Sequence, residues 1–231
     1  MRSYLFTGGM VILILISMNF VLAETPQVSS PDNWWNGSWM SDDYTVLILQ
    51  NDANIAGSYD PEDISVLDPG LLKGTLSKDK KTFSGIWSES GAITYILSDD
   101  LMSFSGAGTV NQEGNIGDPF TYLSNATREG EVKDLNNTWT GTWKSASNIY
   151  TFTQNGSVVF GSYSPFHSEV DEPGHIDGVI SEDGKKFTGS WVETGNFTFV
   201  LSEDKKSYTG TYTTSFSDSG SLEFWNGTKM E

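Results

Sequence analysis

The chain contains no cysteine, and its 13 lysines and arginines are far outnumbered by 30 acidic residues. Without cysteine, neither a disulfide framework nor a lipid-modified cysteine is available. The formal net charge of −17 repels the phosphates of nucleic acids and the surfaces of anionic lipids. Nucleic acid is therefore excluded as a partner, and the charge is typical of a soluble surface in a salty or acidic exterior.

Long apolar runs are also scarce, and the most prominent one lies at the N-terminus. Arg2 precedes the apolar run Val11–Ile16, and Val21–Ala23 ends in a small residue suited to cleavage. This order is the layout of a secretory signal, so we predict a signal peptide over residues 1–23. We expect the protein to be secreted or to lie at the cell surface. Contact with a membrane would then require that this segment stays uncleaved.

What the chain has in abundance is glycine, with 24 residues, together with serine, threonine and asparagine. This composition favours strands and tight turns over helices. Two halves repeat with a constant offset of 104 residues and no gap. The matched segments include Gly57–Tyr59 with Gly161–Tyr163 and Phe83–Glu89 with Phe187–Glu193. We therefore predict one repeat over residues 31–126, a polar linker over 127–136 and a second repeat over 137–228.

Within each repeat the apolar residues recur with a period of two, which indicates β-strands. A large residue, a glycine and another large residue share one strand face, as in Phe187, Gly189 and Trp191. Such glycines allow strong coiling of a strand. The dipeptide Thr194-Gly195 predicts a turn between two strands. The sequence thus predicts an all-β fold of two tandem antiparallel up-and-down barrels, each of about eight strands, after an N-terminal signal helix.

The repeat resembles the avidin and streptavidin type of barrel within the calycin-like group. The resemblance rests on Gly37–Trp39 and Gly141–Trp143, and on the Gly-Ser-Tyr strands that end at Tyr59 and Tyr163. It implies that these two tyrosines contact a ligand. The positions after the first-strand tryptophan depart from the family pattern, so biotin is not implied. The repeat is also similar to repeats in uncharacterised secreted proteins of archaea.

The inward strand faces predict the residues that would contact a ligand. Glu89 and Glu193 continue these faces beyond Trp87 and Trp191, near the mouth of each predicted barrel. They would bind a ligand hydroxyl or amine, act as general acid or base, or close the barrel by accepting hydrogen bonds. The full set of candidate ligand-binding residues is Trp39, Tyr59, Trp87, Glu89, Tyr95, Trp143, Tyr163, Trp191 and Glu193.

The two repeats differ in the size of their inward residues. The first repeat has Val46, Ile48, Ile93, Tyr95 and Gly108 where the second has Tyr150, Phe152, Phe197, Phe199 and Tyr212. Unfilled voids of that size are costly. We therefore predict a larger pocket in the first repeat, lined by Trp39, Tyr59, Trp87 and Tyr95.

The sequence also contains motifs for glycosylation and a pair of histidines. Six Asn-x-Ser/Thr sequences are candidate glycosylation sites in an exported protein, at Asn36, Asn125, Asn136, Asn155, Asn196 and Asn226. The only histidines, His167 and His175, bracket an acidic loop. The first repeat has Asp63 and Leu71 at these positions, so we predict no metal site and no cofactor.

These patterns predict an exported, non-catalytic module that binds a small molecule, a glycan or a cell-envelope protein. Outward aliphatic residues on strand faces, such as Leu47 and Leu49, predict an interface, and we expect it to form between the two predicted barrels. A purely structural envelope protein is the first alternative. A secreted hydrolase is the second, although each repeat offers one obvious inward acid and glycoside hydrolysis needs two. We therefore expect no enzyme activity.

Overall fold

The computed structural model describes residues 32–65, 67–111, 120–166, 172–214 and 222–231. These residues form fifteen β-strands and no helix, and all strands belong to one antiparallel sheet. The prediction of an all-β fold is confirmed. The predicted signal segment over residues 1–23 and the loop with His167 lie outside the described residues. Within the described part, no helix is long and apolar enough to cross a membrane.

The strands follow one another with short connections. In the first half they are β1 (Gly37–Met40), β2 (Tyr44–Asn51), β3 (Asn54–Pro61), β4 (Gly70–Leu76), β5 (Thr82–Leu97), β6 (Ser103–Val110) and β7 (Thr121–Glu129). In the second half they are β8 (Gly141–Lys144), β9 (Asn148–Asn155), β10 (Val158–Pro165), β11 (Gly174–Ile180), β12 (Lys186–Leu201), β13 (Ser207–Thr214), β14 (Glu223–Phe224) and β15 (Gly227–Lys229).

Two strands of 16 residues, β5 and β12, form the centre of the sheet. They pair antiparallel over almost their whole length, and Glu89 lies opposite Glu193 near the middle of the pairing. Each long strand has different neighbours along its two halves. The first half of β5 pairs with β4 and its second half with β6, while β12 pairs first with β11 and then with β13.

These pairings close two rings of hydrogen-bonded strands. Ring A contains β1 to β4, the first half of β5, the second half of β12, β13 and β15. Ring B contains the second half of β5, β6 to β11 and the first half of β12. Each ring therefore combines strands from both repeats, and the rings do not coincide with separate barrels over residues 31–126 and 137–228.

The predicted turn at Thr194-Gly195 is wrong, because both residues lie within the long strand β12. Gly195 is part of the extended strand β12 and pairs with Trp87 of β5. A Cβ at this position would overlap the Trp87 indole and the carbonyl oxygen of Thr213. Gly91 has the same environment, against Trp191 and Thr109. These glycines permit close packing between strands and do not mark a turn, and each repeat has one long strand where two short ones were predicted.

The exchange also divides the core into two aromatic clusters of mixed origin. In ring A, Val46 and Ile48 pack in one cluster with Phe197 and Phe199. In ring B the small Ile93 shares a cluster with residues of the second repeat, including Tyr150, Phe152 and Phe187. The small residues of the first repeat are thus combined with large residues of the second. The difference in size of the inward side chains between the two repeats therefore does not become a difference between the two rings.

Candidate functional site

The site begins with the two glutamates at the centre of the long strand pair. The side chains of Glu89 and Glu193 are 9% and 8% exposed, and the two residues are opposite one another in register. The Tyr59 hydroxyl donates a hydrogen bond to Glu89 Oε1 over 2.9 Å. The Tyr163 hydroxyl donates to Glu193 Oε1 in the same way. Both tyrosines belong to third strands of the repeats, so the motif is duplicated with the 104-residue offset.

Two further carboxyl groups lie beside this pair. Asp68 and Glu172 occupy equivalent positions in the two repeats, each just before a strand. One carboxylate oxygen each from Asp68, Glu89 and Glu193 all lie within 4.8 Å of one another. Burial raises the pKa of Glu89 well above the ordinary glutamate value, and the neighbouring charges of Glu193, Glu172 and Asp68 raise it further.

These groups line a cavity of about 510 Å³ between the two rings. Its walls combine aromatic and acidic side chains from both repeats. The aromatic lining residues are Tyr44, Tyr59, Trp87, Tyr95, Phe120, Tyr122, Tyr150, Tyr163, Trp191, Tyr212, Phe224 and Trp225. The acidic ones are Asp42, Asp43, Asp68, Glu89, Glu172, Glu193 and Glu223. Among the described residues that line the cavity, none is lysine, arginine or histidine.

Hydrogen bonds fix the two central tryptophans on either side of the glutamates. Trp87 Nε1 donates to the carbonyl oxygen of Thr213 over 3.0 Å, and Trp191 Nε1 donates to that of Thr109 over 3.2 Å. The two acceptors are again related by the 104-residue offset. Each indole donates to a strand of the other repeat, Trp87 to β13 and Trp191 to β6. The tryptophan rings are therefore held by the same close approach that excludes a side chain at Gly91 and Gly195.

Two polar atoms of the lining residues have no hydrogen-bond partner in the described structure. They are the indole Nε1 of Trp225 and the amide Oδ1 of Asn148. Trp225 is 8% exposed and packs edge-on against Tyr59, with ring centroids 5.0 Å apart. Buried polar groups normally have partners. Asn148 lies on β9 of ring B and Trp225 packs in the core of ring A, so each ring contributes one such atom.

The predicted ligand-binding residues fall into two groups. Those that line the cavity are Tyr59, Trp87, Glu89, Tyr95, Tyr163, Trp191 and Glu193. Trp39 and Trp143 do not line it; both are 0% exposed within the cores. Their indoles donate to the carbonyl oxygens of Trp35 and Trp139, over 2.9 and 3.1 Å. Of the residues predicted to line a pocket of the first repeat, Tyr59, Trp87 and Tyr95 line this cavity together with residues of the second repeat. Tyr95 packs in the core of ring B, and Tyr59 and Trp87 pack in that of ring A.

Sequence reasoning missed several lining residues, among them Asp68, Glu172, Tyr44, Asn148 and Trp225. A signal existed for the first two, since an acid recurs at the same place in both repeats. Tyr44 and Asn148 are also equivalent positions but differ in residue type. Trp225 has Thr121 as its counterpart, and nothing in the repeat pattern indicated its role.

The carboxylate cluster also has the donor chemistry of a site for a hard divalent cation. Asp68, Glu89 and Glu193 supply oxygens at suitable mutual distances. Calcium takes six to eight oxygen ligands, so three carboxylates would account for part of a shell. His175 is exposed on β11 and is not among the lining residues.

The remaining candidate positions lie on the surface. The sequon asparagines Asn125, Asn136, Asn155, Asn196 and Asn226 are exposed. Asn36 is half-buried, and its side-chain oxygen accepts a hydrogen bond from the backbone of Gln50. Leu47 and Leu49 are 41% and 53% exposed on the outer face of β2.

Comparison of the chain with family models, curated proteins and solved structures finds no match in any of the three.

Proposed function

We propose that this chain is an exported, non-catalytic binding module that holds a small molecule or a glycan unit in the central cavity. The observation that carries this proposal is the cavity itself, with about 510 Å³ of space and walls of aromatic and acidic side chains. That volume lies within the range of small-molecule sites, which are largely apolar and carry a few polar groups that orient the ligand. In this proposal the two rings act as two barrels that share one ligand site.

The duplication supports the same conclusion. The exchange of strands brings Tyr59 and Glu89 of one repeat next to Tyr163 and Glu193 of the other. Hydrophobic clusters fill both rings, whereas polar groups collect where the rings meet. A purely structural protein would gain stability by filling this space with apolar side chains, because buried carboxyl groups are costly.

The experiment is native mass spectrometry of the protein purified without denaturation, followed by identification of any molecule that it retains. We expect a stoichiometric small molecule whose release lowers the melting temperature, since a ligand that binds the folded state alone stabilises it. Change of Trp191 to Ala should abolish retention. A change of the exposed Leu49 to Ala should leave retention intact, because Leu49 does not line the cavity.

A secreted hydrolase remains the second candidate, for one specific reason. The expectation against hydrolysis rested on one inward acid per repeat, yet Glu89 and Glu193 share one cavity, and Glu89 has a raised pKa. Paired carboxyl groups in different protonation states are the machinery of glycoside hydrolysis. Hydrolysis of a glycoside panel that is lost on changing either glutamate to Gln would favour this candidate over the binding module.

A further inference from the structure

Among the described residues, every charged side chain that lines the cavity is acidic. Seven acidic residues line it, and no basic residue does so among those described. Three of the carboxylates place oxygens within 4.8 Å of one another, and two of the three side chains are less than 10% exposed. Such a group is stable only when protons or cations reduce the mutual repulsion of the charges.

Hydrogen bonds from two tyrosine hydroxyls reach the carboxylate cluster. Tyr59 and Tyr163 each donate one hydrogen bond to one glutamate oxygen. A hydroxyl donor stabilises a carboxylate, but it carries no charge that would compensate several carboxylates together. The raised pKa of Glu89 has the charges of Glu193, Glu172 and Asp68 among its causes, so the repulsion persists with these hydrogen bonds in place.

The aromatic walls are the second observation, and they indicate what kind of cation fits. Tryptophan and tyrosine rings attract cations through their electron-rich faces, most strongly where water is excluded. Trp87, Trp191, Tyr212 and Trp225 all line the same cavity as the carboxylates. A metal ion would fill only a small part of the 510 Å³ cavity. Calcium and magnesium take oxygen ligands, so the aromatic rings would not bind such an ion.

The unpartnered polar atoms give a third, independent observation. The buried Nε1 of Trp225 needs an acceptor, and Oδ1 of Asn148 needs a donor. A protonated amine supplies N–H donors for an amide oxygen and for carboxylates. A hydroxyl or carbonyl oxygen on the same molecule supplies an acceptor for an indole N–H.

We propose that the ligand of the central cavity is a small organic cation, a protonated primary or secondary amine that also carries a hydroxyl or carbonyl oxygen. Its ammonium group binds between Glu89, Glu193 and Asp68, with tryptophan and tyrosine rings around its carbon skeleton. This inference rests on the proposed binding function and specifies the chemistry of the ligand.

The test compares amines with neutral molecules of nearly the same shape. Isothermal titration of the full chain, stripped of retained molecules, uses two pairs of probes: tyramine with tyrosol, and glucosamine with glucose. Within at least one pair we expect the amine to bind about tenfold more tightly or better, a difference of about 1.4 kcal/mol. Calcium chloride is titrated separately and in competition with the amine.

Variants identify the groups responsible. The double change Glu89→Gln and Glu193→Gln should remove the preference for the amine, while binding of the neutral partner stays or improves. Glu203→Gln combined with Asp99→Asn is the charge-matched control, because both carboxylates are exposed and pair with Lys81 and Lys185 outside the cavity. Trp225→Phe keeps an aromatic side chain and removes the N–H. It should weaken the binding of oxygen-bearing amines severalfold without changing the preference of the cavity for the amine over its neutral partner.

The outcomes separate the two proposals. Equal binding of amine and neutral probe, or a neutral molecule retained on native purification, overturns this inference and leaves the binding function in place. Calcium binding that displaces the amines and depends on the same glutamates overturns it in favour of a metal site. If no probe binds and no molecule is retained, both the inference and the proposed function fail.

Discussion

The surroundings of Glu89 disfavour the ionised form of its carboxyl group. Its carboxyl group is buried, accepts one hydrogen bond from Tyr59 and lies among the carboxylates of Glu193, Glu172 and Asp68. The fold therefore raises its pKa above the ordinary value of 4.5. Between the ordinary pKa and the raised pKa, Glu89 keeps its proton in the folded state and has lost it in the unfolded state.

The sign of the pH effect follows from this difference. The contribution of Glu89 to stability is fully present below pH 4.5 and is lost as the pH rises through the raised pKa. We predict that Glu89→Gln raises the free energy of unfolding at neutral pH by about 1 kcal/mol or more, or roughly 2–4 °C in melting temperature. The Gln side chain keeps an oxygen that can accept from Tyr59.

Thermal unfolding of the ligand-free protein between pH 4 and pH 8 checks this prediction. As the pH rises, the stability of the variant should decline less steeply than that of the unsubstituted chain. The exposed Asp79, whose pKa is lowered by the Ser77 hydroxyl and the Lys81 amide, provides the control. Asp79→Asn should not raise stability at neutral pH, and a similar gain in both variants would contradict the argument.

Gly195 lies where β12 closely approaches both of its neighbouring strands, β5 and β13. A Cβ there would overlap the Trp87 indole and the Thr213 carbonyl oxygen, both of which are fixed by their own hydrogen bond. We predict that Gly195→Ala lowers the free energy of unfolding by about 3 kcal/mol, the upper part of the range for overpacking. Chemical denaturation measures the change, and Asn196→Ala on the exposed side of the same strand should cost less than about 1 kcal/mol.

At the scale of elements, the hairpin between β9 and β10 depends on one left-handed residue. Gly156 has a φ of 61°, and no atom lies within 4 Å of the position of an added Cβ. Its counterpart in the first repeat, Asp52, has a φ of 56°. We predict that Gly156→Ala costs about 1 kcal/mol through backbone conformation alone. An unchanged midpoint of denaturation would show that the hairpin adopts another turn.

At the scale of the whole molecule, the exchange makes the repeats interdependent. A fragment over residues 31–126 retains β1 to β4 but lacks the second half of β12, β13 and β15, which complete ring A. The aromatic residues Phe197, Phe199 and Tyr208 are lost from its core at the same time. We predict that this fragment and the fragment 137–228 are not folded as monomers when they are alone.

Mixing a fragment over residues 31–130 with one over residues 131–231 should restore the fold, because together they supply every strand of both rings, including the end of β7 that pairs with β8. Size-exclusion chromatography with near-ultraviolet circular dichroism would follow the association, since the buried tryptophans become ordered only in the complex. A mixture of one fragment with itself is the control for simple self-association. A folded, monomeric 31–126 fragment would show that the repeat can close its own barrel.

Much of the fold could be predicted from the sequence, because it depends on local patterns. The alternation of apolar residues determines which strand faces are buried, and the repeat offset relates the strands of the two halves. The inward direction of Tyr59, Glu89 and their counterparts follows from the same alternation. The hydroxyl-to-carboxyl hydrogen bonds could not be read from it, since they join strands 30 residues apart.

The all-β class, the duplication and the inward position of Glu89 and Glu193 follow from local patterns of residues along the chain. Which strands close which ring, and hence that the two glutamates line one cavity, depends on pairings between strands about 100 residues apart. Local patterns do not determine such pairings, because a glycine such as Gly195 suits both a turn and a close approach between strands, and only the packed Trp87 indole distinguishes the two.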